Sequence, residues 1–356
     1  MSLPGTTLAA CPDVQAELDN YFATANSSLL REPAPFLDFL MSQENRLGVQ
    51  QIMAPGGAKT RKMILRYDQR ISEADVEDAT SAEMSCSAST KRGDLTKEYE
   101  IDPAAGWELS ERMTVSEWHA ACRGNGEIFA KKVQMLIDGV YRKTATKAVG
   151  QALALLGRWD NIIPNSDMVD EGGVEYLKIA TRKTGSTDPN PLAWEDIDLA
   201  ITKTGFPSAP VIFAGTNIYK YARLMQAGCC STAGLDLAAI AAKFGKAVAW
   251  DRRVEKLIGA DKAWAVAPNV LYPITYTGND DGIDTAMTGA GYIKQVIFDP
   301  MSGMPMDLKI VDTCGEGIDV IVRANVKVVA LPDDLFGPDD DWLGVKWFAG
   351  IKNVNA

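Results

Sequence analysis

The chain has 356 residues, of which 46% are hydrophobic and 23% charged, the balance of a soluble globular protein with length for about two domains. Its formal net charge of −11 excludes a surface built to wrap DNA or RNA, which would be basic. No internal repeat or low-complexity tract divides it.

Taken in order, residues 1–58 read as an amino-terminal arm: a short helix over Pro12–Ala23, then irregular chain punctuated by Pro33, Pro35 and Pro55. Residues 59–112 read as an extended hairpin. In "KMILRYDQRI" (62–71), Met63, Leu65, Tyr67 and Ile71 alternate with Lys62, Ile64, Arg66, Asp68 and Arg70, the period of a strand. In "TKEYEID" (96–102), Lys97, Tyr99 and Ile101 alternate with Glu98, Glu100 and Asp102. If the two stretches pair, the basic face of the first meets the acidic face of the second. Yet Ser72 to Leu95, 24 mostly polar or small residues, separates them, where hairpin loops usually need two to five. Such a ribbon has little of its own to bury.

The pattern then turns helical. A helix is expected over Val115–Cys122, a break at "RGNG" (123–126), and a long helix over Glu127–Leu156. In the long helix Phe129, Val133, Leu136, Ile137, Val140, Tyr141, Ala145, Ala148, Val149, Ala152, Leu153 and Leu156 recur at three- and four-residue intervals, one buried stripe. After the linker "GSTDPNP" (185–191) comes an α/β segment: helix Trp194–Ile201, strand "PVIFAG" (210–215), helix Thr216–Gln226 with Thr216 as N-cap, helix Leu235–Phe244 and strand "KAVAW" (246–250). "KAWAVAPNVLYPITY" (262–276) is strand-like on both sides of Pro268. Beyond the polar "TGNDDGID" (277–284), three strands are expected in "YIKQVIF" (292–298), "PMDLKIVDT" (305–313) and "GIDVIVRANVKVVAL" (317–331), then a tail with "WLGVKWFAGI" (342–351).

No residue set announces catalysis or a cofactor. His119 is the only histidine, beside Trp118 in a helical stretch, and one histidine builds no metal cluster. Cys11, Cys86, Cys122, Cys229, Cys230 and Cys314 form no CxxC and fit a reducing compartment. "GGAKT" (56–60) breaks the phosphate-loop pattern, because Ala58 separates glycine from Lys59. "GNGEIF" and "CGEGIDV" have Phe129 and Val320 where a dinucleotide fingerprint needs its third glycine, and "NDDGID" has Thr277 and Thr288 at calcium-ligand positions. Asp333, Asp334, Asp339, Asp340 and Asp341, beside Pro332 and Pro338, read as a solvated acidic loop. No catalytic, cofactor-binding or metal-binding residue is nominated. No targeting segment is expected, since the first basic residue is Arg31, and no run approaches the ~18 apolar residues of a membrane span.

The order of these parts resembles the major capsid proteins of tailed bacteriophages, the Hong Kong 97-type shell fold that encapsulins share. The resemblance rests on the arm, the hairpin around 59–112, the spine helix Glu127–Leu156, the stretches "PVIFAGTNIYKYARL" and "KAVAWDRRVEKLIGADKAWAVAPNVLYPITY", and the closing "GMPMDLKIVDTCGEGIDVIVRANVKVVALPDDLF". It implies an α+β fold: arm 1–58, extended loop 59–112, peripheral domain with spine helix 113–194, axial domain 195–290, and peripheral strands with the carboxyl terminus 291–356. It further implies a non-enzymatic subunit assembling as hexamers and pentamers into an icosahedral shell around double-stranded DNA. The implied location is the virion capsid, assembled in the host cytoplasm, with a separate scaffolding protein, a portal and a decoration protein as partners. The readings set against it are a cytosolic α/β enzyme with an unrecognised site and an encapsulin-type compartment.

Overall fold

A computed structural model of the chain describes residues 31–42, 50–55, 61–68, 94–101, 105–122, 126–159, 163–206, 209–226, 247–277, 292–313, 317–330 and 347–355. The helices expected at Pro12–Ala23 and Leu235–Phe244 lie outside them. Within the arm, Pro35 starts a short helix, α1 (Pro35–Met41), that buries Phe36, Leu37 and Leu40 completely. At ~1.5–3 kcal/mol for each large apolar side chain taken out of water, these three anchor the segment to the body.

The two hairpin stretches do pair. β2 (Arg61–Asp68) runs antiparallel to β3 (Asp94–Ile101), with Lys62 opposite Glu100 and Met63 opposite Tyr99. The arm was expected to be irregular here, but β1 (Gln50–Pro55) adds a third strand on the other side of β2. Pro55 sits at the end of this edge strand, where its missing N–H costs no ladder bond.

β4 (Trp107–Met113) leads into α2 (Val115–Cys122) through a capping box. The backbone N–H of Thr114 donates to Glu117 Oε2 at 2.9 Å, and the Glu117 N–H donates back to Thr114 Oγ1 at 3.2 Å. α3 (Gly126–Leu153) is the long helix, ending three residues before the expected Leu156. Its 28 residues run about 42 Å. Ten of the expected stripe residues, Phe129 through Ala152, are buried, while Leu153 and Leu156 pack at the margin of the core.

That stripe lies on an antiparallel sheet of β11 (Tyr292–Phe298), β12 (Pro305–Asp312), β13 (Ile318–Ala324) and β4, in the order β11–β12–β13–β4. β4, within the segment assigned to the hairpin from sequence, is thus an edge strand beneath the spine. The run 317–331, expected as one strand, is two: Asn325 ends β13, and β14 (Val326–Ala330) pairs instead with β10 (Leu271–Thr275). Gly139 lets α3 approach β4 closely, since a Cβ there would lie 2.6 Å from Leu109 Cδ2.

The second layer is a six-stranded sheet. It contains β5 (Met168–Glu171), β6 (Val174–Ile179), β7 (Val211–Ala214), β8 (Ala247–Trp250), β9 (Lys262–Val266) and β15 (Phe348–Asn353), in the order β5–β6–β15–β9–β7–β8. β15, from the segment assigned to peripheral strands, occupies its centre, parallel to β6 and antiparallel to β9. Alternation gives the sheet two buried faces. Phe213, Trp264, Val266 and Phe348 join the core shared with α1, α3 and α6 (Arg252–Ile258). Ile212, Ala214, Ala263, Ala265, Ala349 and Ile351 face a second core, closed by α4 (Leu192–Lys203) and α5 (Thr216–Gln226). Thr216 does not act as the expected cap: its hydroxyl donates to the Glu255 carboxylate of α6, at 2.7 and 2.8 Å from its two oxygens. The whole is α+β.

Candidate assembly surfaces

Among the described residues no other strand joins the backbone ladder of the hairpin sheet. In its register Lys62 stands opposite Glu100 and Asp68 opposite Asp94. It joins the body through Tyr99, whose hydroxyl donates to the Ala330 carbonyl at 3.3 Å, while the Lys327 ammonium lies 5.8 Å from the Tyr99 ring centroid. The connection between β2 and β3, including the expected loop from Ser72, lies outside the described residues.

Sequence reasoning missed the device that fastens the arm. Arg31 forms a bidentate pair with Asp299, 2.8 and 2.7 Å, and both side chains are almost wholly buried. The guanidinium also lies 3.6 Å over the Tyr141 ring of α3, and the Tyr141 hydroxyl donates to Asp38 of α1. Burial pulls the Arg31 pKa down, but the Asp299 carboxylate more than offsets this, leaving it raised. Burial raises the Tyr141 phenol, and its bond to Asp38 raises it further, so it stays a neutral donor. Asp299 also accepts from the backbone N–H of Met301 (3.4 Å) and Ser302 (3.1 Å), an Asx-type turn. "DPMSG" in the sequence signals that turn, though nothing local signals Arg31 268 residues away.

A second tie uses Asp251. It caps α6 by accepting from Arg253 N at 2.7 Å, and its other oxygen accepts from Phe36 N at the start of α1, 3.1 Å. Glu32 pairs with Arg253 at 3.1 Å, and Arg253 Nη1 donates to the Pro33 carbonyl at 2.9 Å. The spine also presents apolar residues outward. Ile128 and Met135 of α3 and Leu109 of the edge strand β4 are exposed.

Of the residues weighed for chemistry, His119 is exposed on α2. Cys122 ends the same helix, and the other five cysteines lie outside the described residues, as do Gly56–Thr60 and the acidic run Asp333–Asp341. Among the described residues no three His, Cys, Asp or Glu side chains converge as a metal site, and no helix is long and apolar enough to cross a membrane.

No family model and no curated protein matches the chain. Solved structures do. A virus-like particle from Pyrococcus furiosus is 9% identical, with 95% of this chain and 97% of that chain covered at a TM-score of 0.41. A putative capsid protein of a prophage in E. coli CFT073 is 12% identical, with 96% and 99% covered, TM-score 0.41. The SrpI encapsulin of Synechococcus elongatus PCC 7942 is 13% identical, with 85% and 84% covered, TM-score 0.39. Arm segment, hairpin, spine helix on an antiparallel sheet, and an α/β layer follow one another along this chain in the order that the resemblance implied. At these identities and TM-scores the likeness carries no argument about activity.

Proposed function

We propose that the chain is the major subunit of a viral shell, assembling as hexamers and pentamers into an icosahedral container for double-stranded DNA. The observation that carries this reading is the hairpin sheet. Among the described residues β1 and β3 are the outermost strands of this three-stranded sheet, and it meets its own body at Tyr99. Backbone groups along an outer strand invite another chain, and a subunit lying flat in a shell can extend such a sheet with its neighbour. The net charge of −11 suits a container that keeps packaged DNA mobile instead of gripping it. A separate scaffolding protein, a portal and a decoration protein complete the assembly, located in the virion and built in the host cytoplasm. No catalytic residue enters the reading.

The test replaces Ala74–Gly93 with a short glycine-containing turn. The unassembled chain should keep its melting temperature, while closed particles disappear in sedimentation and negative-stain microscopy. Normal closed shells from this variant would refute the role of the hairpin, and a wild-type chain that never forms megadalton particles would refute the shell. Enzyme cargo in place of DNA inside the particles would assign it to encapsulin-type compartments.

A further inference from the structure

A groove of about 460 Å³ opens where the outer side of α3 meets α6. Its rim carries four cations, Arg142 from the spine and Arg252, Arg253 and Lys256 from α6, against one acid, Glu32. Glu32 is engaged by Arg253 at 3.1 Å and reaches Arg252 at 3.7 Å. Among the described residues Arg142 and Lys256 have no carboxylate within ion-pairing distance, and the Arg252 side chain is 75% exposed. The floor is apolar: Val149 is buried and Leu257 is exposed toward the opening. At Gly150 a Cβ would meet nothing within 4 Å. In a protein of net charge −11, a concave surface with several unneutralised cations around an apolar floor selects an acidic segment that also carries large apolar side chains.

One run of the chain has that composition. "DDLFGPDDDW" (333–342) places five aspartates around Leu335, Phe336 and Trp342. It follows β14, which Gln151 holds by accepting from Val328 N at 2.8 Å. Gln151 lies nine positions after Arg142, about two and a half turns, so the two face opposite sides of α3. β14 therefore lies on the side of α3 away from the groove.

We propose that this groove is a contact between copies, taking the acidic run Asp333–Trp342 of a second subunit. The proposal rests on the shell reading and deepens it, giving the shell a contact independent of the hairpin. Salt screens the contact at the rim, so particle yield should fall as ionic strength rises.

The test uses full-length chains, each checked by circular dichroism for an unchanged melting temperature. Chains with Arg252→Glu and Lys256→Glu, and separately chains with Asp339→Lys and Asp340→Lys, should each lose at least tenfold in particle yield. Mixing the two in equal amounts should recover particles, because each groove then finds a complementary run on the other chain. A neutral block, Gly150→Phe, should lower the yield as well, whereas Gly150→Ala should not. Normal yields from both charge variants would overturn the proposal while leaving the shell reading in place. Rescue only when all four substitutions share one polypeptide would place the run in its own groove and overturn it too. Normal particles that package less DNA would assign the groove to phosphate. A wild-type chain that never assembles would overturn the contact and the shell together.

Discussion

The Arg31–Asp299 pair makes an asymmetric prediction. Asp299→Ala strands a guanidinium whose side chain is 5% exposed, and removing one partner of a buried pair costs about 3–5 kcal/mol. It also strips the acceptor from the turn N–H groups of Met301 and Ser302, adding roughly 1 kcal/mol. Arg31→Ala leaves Asp299 with those turn donors, so its charge is still hydrogen-bonded and the cost should be smaller, about 1.5–3 kcal/mol, the worth of bonds to a charged group. Against a total stability of ~5–15 kcal/mol, both are large. Urea unfolding of the unassembled chain, followed by far-ultraviolet circular dichroism, measures both from the midpoint shift at constant slope. The double variant closes a cycle that should report coupling on the order of 1–3 kcal/mol. An Arg31→Ala penalty equal to or larger than that of Asp299→Ala would refute the reasoning, as would an Asp299→Ala variant within ~0.5 kcal/mol of wild type, the range of ordinary surface changes.

Leu136 is 3% exposed beneath the spine, so Leu136→Ala should cost ~2–5 kcal/mol in the same assay. The Tyr272 hydroxyl is buried without a partner among the described residues, and burial pushes its pKa up to about 12. Tyr272→Phe should therefore stabilise the chain, by up to about 1–3 kcal/mol if the full desolvation penalty is relieved; a loss of stability would reveal an unrecognised partner. Burial, partly countered by the bond from Gln134, raises the Asp138 pKa above 3.8. A raised folded-state pKa contributes stability below 3.8 that is lost as pH rises through the folded value. Asp138→Asn, which keeps an acceptor for Gln134, should thus gain stability relative to wild type between pH 3.5 and pH 7, and thermal melts at the two pH values check the sign.

What the sequence discloses follows from how local each signal is. The spine is legible because its stripe repeats within one helix, and the β2–β3 pairing because each strand alternates and Lys62 and Glu100 carry opposite charge. β1 is not legible, since the apolar residues of "QQIMAP" are consecutive and do not alternate, and a proline follows them. The division at Asn325 is hidden because β13 and β14 share one alternating pattern while pairing in different sheets. Thr216 looks like a cap by residue type, yet Glu255, 39 positions on, claims its hydroxyl. The Arg31 clasp and the central place of β15 depend on partners so far along the chain that no local window holds both. The acidic Gly278–Gly282 turn lies outside the described residues.

The position of β15 sets a waiting time on biosynthesis. The six-stranded sheet is two unconnected pieces, β5–β6 and β9–β7–β8, until residues 348–353 slide between them. Translation at ~5–20 residues per second takes about 4–16 s to cover the roughly 80 residues from the end of β9 to β15. Through that interval the facing edges of β6 and β9 stay open, and an open edge is a template for another nascent chain. On a polysome, where many nascent copies of the chain grow along one message, two such open edges can meet before either chain is complete.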